Sequence, residues 1–266
     1  MSVRKYSLRF VTFGYLSIIL LGPLAMMFWR TFQDLGGAWS ALTEHDTILA
    51  FKLTLIVTAI AVPLNTVFGV ICALAIVRGR FRGKGVLNAF VDLPLSLSPV
   101  VVGISLYLLY APRGGWLGWL DGHFMHILFA VPAIVLATVF VSMPFVAREV
   151  VPTLREIGTE QEQAAHTLGA SVWQTFWRIT LPSIRWALIY GVVLTTARCL
   201  GEFGAVAIVS GNIEGKTQTA TLRVEDAYQF AYGNYAPAYG ISIALAAMAI
   251  LVLVVMIVLQ PKGTSH

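Results

Sequence analysis

Charge is scarce in this chain. Asp, Glu, Lys and Arg make up 12% of its 266 residues, about half the roughly 25% of a soluble globular domain. Catalytic signatures are missing too: there is no Walker A loop, no Gly-x-Ser-x-Gly elbow and no His, Cys or carboxylate set at metal-ligand spacing. These absences argue against nucleotide hydrolysis, acyl transfer or a metal centre on this polypeptide. The five histidines, His45, His123, His126, His166 and His266, are scattered. His123 and His126, three apart, read as a polar pair at a helix start. Only two cysteines occur, Cys72 and Cys199, both inside apolar segments. They form neither a disulfide framework nor a metal site and read as small packing residues. Internal repeats and low-complexity tracts are also absent.

Apolar residues are abundant, at 58%. A helix needs about 20 apolar residues to cross a ~30 Å hydrocarbon core. Six runs meet that length, at roughly 10–32, 53–77, 87–111, 125–147, 184–209 and 236–259. The expectation is an all-α membrane protein of six transmembrane helices, one domain over 1–266, with no room for a soluble domain. The first run is long, lacks a small-residue cleavage pattern and is followed by five others, so it reads as a retained helix rather than a signal peptide.

The net charge of +5 is explained by topology. Arg4, Lys5, Arg9, Arg78, Arg80, Arg82, Lys84, Arg148, Arg155, Arg178, Arg185 and Lys262 fall in the termini and alternate loops. Arg30, Lys52, Arg113, Lys216 and Arg223 fall on the other side, with most loop acids: Asp34, Glu44, Asp46, Asp121, Glu214, Glu225 and Asp226. Cytoplasmic loops collect Lys and Arg, so both termini are placed in the cytoplasm of a multi-pass inner-membrane protein. Trp116 and Trp119, with Asp121, suit the headgroup depth. Loops one (33–50) and five (210–235) are the long external segments.

Pro23, Pro63, Pro94, Pro99, Pro132 and Pro144 interrupt the spans. Most read as ordinary kinks, which membrane helices tolerate where neighbours or water satisfy the freed backbone groups. The stretch 92–99, DLPLSLSP, differs. Two prolines five apart among serines predict irregular backbone facing protein or water. Asp92 beside them reads as a local cap or ion-pair partner.

From Arg148 to Arg185 the chain leaves the apolar pattern yet keeps helix signals. Thr159 stands three residues before Glu162, a capping-box start, and Glu160 and Glu162 occupy a first turn that favours acids. The run ends at Gly169, suited to a left-handed stop. Ser171 and Gln174 repeat the box and begin a second helix, which Leu181-Pro182 is expected to break. Ala165 and Gly169 would give the first helix a shallow small-residue strip. Trp173, Phe176 and Trp177 give the second a bulky face that must be buried against the protein body or in a partner's groove. A DNA-binding reading of this helix–turn–helix is excluded by its four acids and its place between two membrane spans.

These residues carry a resemblance. Ala164, Ala165, Gly169, Ile179, Leu181 and Pro182 match the EAA loop of ABC-importer permeases, with Gln163 where that pattern has Glu. Over roughly 50–260, and most specifically over 144–211, the stretches PFVAREVVP (144–152), GASVWQTFWR (169–178), LPSIRWA (181–187) and GEFGA (201–205) resemble sulfate/thiosulfate permease subunits of the CysW type. The resemblance implies a type I ABC importer permease fold with a coupling loop at about 149–183. It implies that Gln163, Ala164, Ala165, Leu168, Gly169, Ile179, Leu181 and Pro182 meet a cytoplasmic ATPase. It further implies a second, CysT-like permease, a CysA-like ATPase dimer that carries the ATP and Mg, and an extracytoplasmic sulfate-binding protein. The chain itself would bind no cofactor.

Arg198 and Glu202 stand four apart inside the fifth run. Ionisable groups at membrane depth cost at least a few kcal/mol unless paired or hydrated. Two readings stand: a mutual salt bridge on one helix face, or a guanidinium lining the path of a tetrahedral dianion. Molybdate or tungstate is the alternative cargo. An ion-driven secondary transporter is the alternative class, but it would call for repeats and a coupling-ion carboxylate cluster, and neither is present.

Overall fold

We describe the protein from a computed structural model, over residues 12–120 and 126–259. Arg4, Lys5, Arg9, Asp121, His123, Lys262 and His266 lie outside the described residues.

The regular elements are all helical. In chain order they are α1 (Thr12–Gln33), α2 (Leu35–Thr43), α3 (His45–Arg78), α4 (Lys84–Ser96), α5 (Pro99–Tyr110), α6 (Val131–Ile157), α7 (Glu160–Thr167), α8 (Val172–Leu200), α9 (Gly204–Val209), α10 (Ala220–Gln229) and α11 (Ala236–Leu259). By length and composition α1, α3, α6 and α8 can each cross a membrane, and the bent pair α4–α5 is a fifth candidate. Helix α11 is apolar as well.

Several boundaries differ from the expectation. The first loop is mostly helix. Asp34 caps α2 by accepting the Gly37 N–H at 2.8 Å, and α3 begins at His45, giving 34 residues and a length of about 51 Å. The expected run 87–111 is broken, with α4 and α5 meeting at 110°. Pro99 causes the break: it pushes the preceding residue out of the helical region, and Ser98 is extended at φ −63°, ψ 136°. Pro94, by contrast, stays within α4. The expected run 184–209 stops at Leu200, and α9 is a separate short helix.

Two prolines that might have broken helices are absorbed by wider turns. A π-helical turn at Ser17–Leu21 precedes Pro23, and another at Phe176–Thr180 precedes Pro182. A proline lacks the N–H and crowds the carbonyl four residues back; a π turn is one recognised way to relieve that crowding. The predicted break at Leu181-Pro182 is therefore a correction: α8 runs unbroken through both residues.

The core centres on the C-terminal half of α6, which packs between α3 and α8. Val146 is fully buried there. A Cβ on Gly69 would lie 2.7 Å from Val146 Cβ, and one on Gly191 would lie 3.0 Å from Val146 Cα. Both glycines permit a close helix approach of the kind that holds membrane helices together. Val70, Ala73, Ile76, Val150, Leu154 and Ile184 extend this cluster. Next to it, fully buried Asn65 of α3 donates to Ser142 Oγ (2.7 Å) and to the Val139 carbonyl (3.1 Å) of α6. Cys199 Sγ lies 3.3 Å from the same Ser142 hydroxyl, and Cys72 is buried in the apolar cluster. Both cysteines are free packing residues, as their setting in the sequence indicated. A second cluster joins α5, α6 and α9 through Val102, Ala137, Val141, Ala205 and Val209.

The packing predicts opposite outcomes at two helical glycines. Gly69→Ala forces overpacking against Val146 and should destabilise the protein by about 1–3 kcal/mol. Gly85→Ala has nothing within 4 Å of the new methyl and should be neutral or stabilising, by up to about 1 kcal/mol. Thermal midpoints of the detergent-purified protein check both.

Candidate functional site

The helix–turn–helix between α6 and α8 is built by local bonds. Gly158, at φ +72°, ends α6, and Thr159 stands at the N-cap of α7. The expected capping box at Thr159 does not form. Its hydroxyl instead accepts from Gln163 Nε2 at 2.9 Å. Glu162 turns inward: its Oε2 lies 2.9 Å from Arg78 Nε, and its Oε1 accepts the Thr180 hydroxyl at 2.9 Å. Tertiary partners outbid the local cap, because an ion pair plus a charge-assisted hydrogen bond is stronger than one neutral backbone bond.

The C-terminal stop follows expectation. Gly169 sits at φ +83°. The Gly169 N–H reaches the His166 carbonyl and the Ala170 N–H the Ala165 carbonyl, both at 3.0 Å, which is the paired Schellman pattern. The second capping box is complete: Gln174 N–H donates to Ser171 Oγ (3.2 Å) and Ser171 N–H to Gln174 Oε1 (2.9 Å). Such a box fixes the start of α8 by roughly 1 kcal/mol.

The structure divides the predicted coupling residues into two groups. Ala165 is buried, and Ile179 and Leu181 are half-buried, with Leu181 against the α3–α6–α8 core. Gln163, Ala164, Leu168, Gly169 and Pro182 are exposed. The exposed surface is therefore not the anticipated Ala165–Gly169 strip. It is an apolar ridge: Leu168 is 88% exposed, Val172 76% and Trp173 69%, with Trp177 beside them. Trp173, Phe176 and Trp177 pack on one another with ring centroids 5.4–6.0 Å apart. Phe176 also joins the core, so the trio anchors the ridge while its outer rings face outward. Open space surrounds Gly169; a Cβ there would meet nothing within 4 Å.

The second candidate group also closes as an ion pair. Arg198 Nη1 lies 2.7 Å from Glu202 Oε2. Glu202, 4% exposed, also accepts the Ala205 N–H at 3.1 Å, and its carbonyl accepts the Thr221 hydroxyl at 2.7 Å. One carboxylate thus pairs with α8, starts α9 and sits where α10 docks. Arg198 keeps 30% of its side chain exposed. Beside Glu202, Phe203 and Thr221 line a pocket of about 720 Å³ with Arg30, Glu225, Tyr228 and Tyr239.

Two further ion-pair groups lie at the two ends of the molecule. Asp92 accepts from Asn88 at 3.1 Å, the local role expected of it, and also pairs at 2.9 Å with Arg148, 56 residues away on α6. At the opposite end Arg223 lies between Glu44 (2.6 Å), Glu214 (3.2 Å) and Asp226 (3.7 Å). Sequence reading missed both the Arg223 cluster and the Arg78–Glu162 pair. Arg223 and Glu44 stand 179 residues apart and Arg78 and Glu162 84, and no local spacing signals either; only Asp226, three residues from Arg223, was within local reach.

Comparison with known proteins agrees with this architecture. Residues 65–262 match the family described as binding-protein-dependent transport system inner membrane component. The sulfate transport system permease protein CysW of Synechococcus elongatus is 55% identical over 81% of this chain and 76% of its own. CysW of Synechocystis sp. is 45% identical over 98% and 95%. The sulfate permease CysT of Escherichia coli is 38% identical over 79% and 76%. A bacterial ABC transporter that imports alginate shares the fold at a TM-score of 0.79 and 18% identity, over 98% of this chain and 96% of that one. The chain belongs to the family of binding-protein-dependent transport system inner membrane components.

Proposed function

We propose that this chain is the membrane permease subunit of an ATP-driven sulfate/thiosulfate importer, forming half of the translocation pathway. The observation that carries the reading is the doubly stopped helix α7 together with the exposed apolar ridge where it meets α8, which needs a protein partner to cover it. Its relatives' names supply the cargo. The ridge would seat in a cytoplasmic ATPase of CysA type, two copies of which carry the ATP and Mg. This chain supplies no catalytic group. A CysT-like permease would complete the pathway, and an extracytoplasmic sulfate-binding protein would deliver the anion.

In this reading six spans cross the inner membrane: α1, α3, the α4–α5 pair, α6, α8 and α11. Both termini are cytoplasmic, and residues 1–266 form one permease domain. The clustering of Arg78, Arg80, Arg82, Lys84, Arg148 and Arg155 toward the α7 end supports that orientation. ATP binding draws the two coupling loops together, and the permease halves rock as rigid bodies to open outward. Hydrolysis restores the inward state. Gln163, bonded to Thr159, faces the ATPase with an amide where the EAA pattern has a carboxylate. Arg198 offers the dianion a weak, partly neutralised contact, sufficient for a conduit whose selection lies on the binding protein.

Cargo is tested by radiolabelled sulfate uptake in cells lacking this chain and in cells given it back. Uptake should disappear, return, and be blocked by excess thiosulfate but not by molybdate. Unchanged sulfate uptake, or block by molybdate, moves the cargo to another oxyanion. Coupling is tested by Gly169→Asp. Open space surrounds the position, and a side chain there also strains the left-handed turn at φ +83°; the added carboxylate should abolish uptake while the protein stays in the membrane, and surviving uptake would sink the coupling assignment. For Arg198, Glu202→Gln keeps an acceptor for the Ala205 N–H and releases the guanidinium. A pathway role predicts slower uptake per membrane-resident complex, whereas a purely structural pair predicts less protein at the same rate per complex.

A further inference from the structure

Helix α7 is eight residues long, too short to hold its own orientation, since isolated helices below about 12–15 residues are marginal. It is flanked by Gly158 at φ +72° and Gly169 at φ +83°, two positions where the backbone turns sharply. A force on the outer face of this segment, at exposed Gln163 and Ala164 and at Leu168 on its C-cap, would therefore pivot α7 unless something ties it to the spans. Resting on the coupling reading above, we propose that Arg78, Glu162 and Thr180 form a latch that makes α7 move as one body with α3 and α8. These are positioning residues, and they lie on the inner side of α7, away from the ridge.

The geometry supports this on four counts. Arg78 is the last residue of α3, where a cation suits the helix terminus, and Glu162 lies in the first turn of α7, where an anion does. The pair is close and shielded: Arg78 Nε lies 2.9 Å from Glu162 Oε2, with each side chain only 19% exposed. Arg78 Nη2 also donates to the Gly158 carbonyl, so the same guanidinium holds the α6–α7 pivot. Finally, Glu162 Oε1 accepts from Thr180, which is buried at the end of the π turn in α8. One carboxylate thus joins α3, α7 and α8, and one guanidinium adds the end of α6. Gln163, the neighbour in the coupling motif, makes no such bond to the spans.

The test uses the assembled complex in proteoliposomes, with Glu162→Gln, Arg78→Gln and the milder Thr180→Val. The ATPase should co-purify with each variant, while sulfate moved per ATP hydrolysed falls at least about fivefold for the two charge variants, the lower range of a typical coupling energy. Thr180→Val should give a smaller loss. Independently of transport, spin labels at Gln161→Cys and Arg80→Cys, both exposed positions, should show a wider distance distribution when Glu162→Gln is added. Cys72 and Cys199 are buried and leave the labelling specific. An unchanged distribution overturns the latch. So does a widened distribution with an unaltered transport-to-hydrolysis ratio. Failure of the coupling reading is seen separately, as uptake that survives Gly169→Asp while the Glu162→Gln distribution still widens.

Discussion

Close approach of α3 and α8 to Val146 is the contact on which the rest of this structure depends. Lipid tails are as apolar as leucine, so burying leucine between helices gains little in a membrane, and association rests on packing and interhelical hydrogen bonds. Gly69 and Gly191 remove the side chains that would hold α6 away. The bonds from Asn65 to Ser142 and Val139 then fix the axial register of α3 against α6. Once α6 is held, its far end delivers Arg148 to Asp92 and Gly158 to Arg78. The short helix α7 has its place because a buried valine has no room to move.

Four arginines of the packed part of the chain sit beside partners of opposite sign. Arg198 has Glu202, Arg148 has Asp92, Arg78 has Glu162, and Arg223 has three acids. Such pairs add little net stability, since desolvation offsets much of the attraction, yet breaking one is costly because a charge is left unpaired. Their value is in fixing geometry. Glu202 shows this best: it neutralises Arg198 and starts α9, which places Ala205 and Val209 against α5. The partial neutralisation also suits a conduit, where an anion held too tightly could not leave.

Much of this was legible in the sequence, because it rests on local rules. The apolar runs located the long helices, Gly169 announced its left-handed turn, and Ser171 with Gln174 announced its box. Asp92 has the local partner Asn88 that its setting suggested, though not Arg148, and the two cysteines are buried packing residues. The misses have physical causes. Thr159 and Glu162 satisfied the spacing of a capping box, but Glu162 had a stronger option in Arg78, 84 residues away. Pro182 was expected to end a helix, but a π turn made room for its ring. Pro99 and Pro94 look equivalent in sequence, yet only Pro99 broke the span. The small-residue strip was misplaced because Ala165 is buried, leaving Leu168 and Val172 outermost.

The unbroken α8 has a mechanical consequence that a helix broken at Pro182 would lack. Its 29 residues form a rod about 43 Å long. Trp173 and Trp177 lie at one end, on the exposed ridge. Arg198, in its pair with Glu202, lies at the other. A tilt imposed at the aromatic end is thereby a displacement at the arginine end, with no loop between them to absorb it. The π turn at Phe176–Thr180 is the one irregularity along the rod, and there Thr180 is bonded to Glu162. Glu162 thus joins α7 to the rod at this π turn and, through Arg78, to the end of α3. The chain needs no long-range wire between its two candidate sites, because a single helix, braced at its π turn, runs from one to the other.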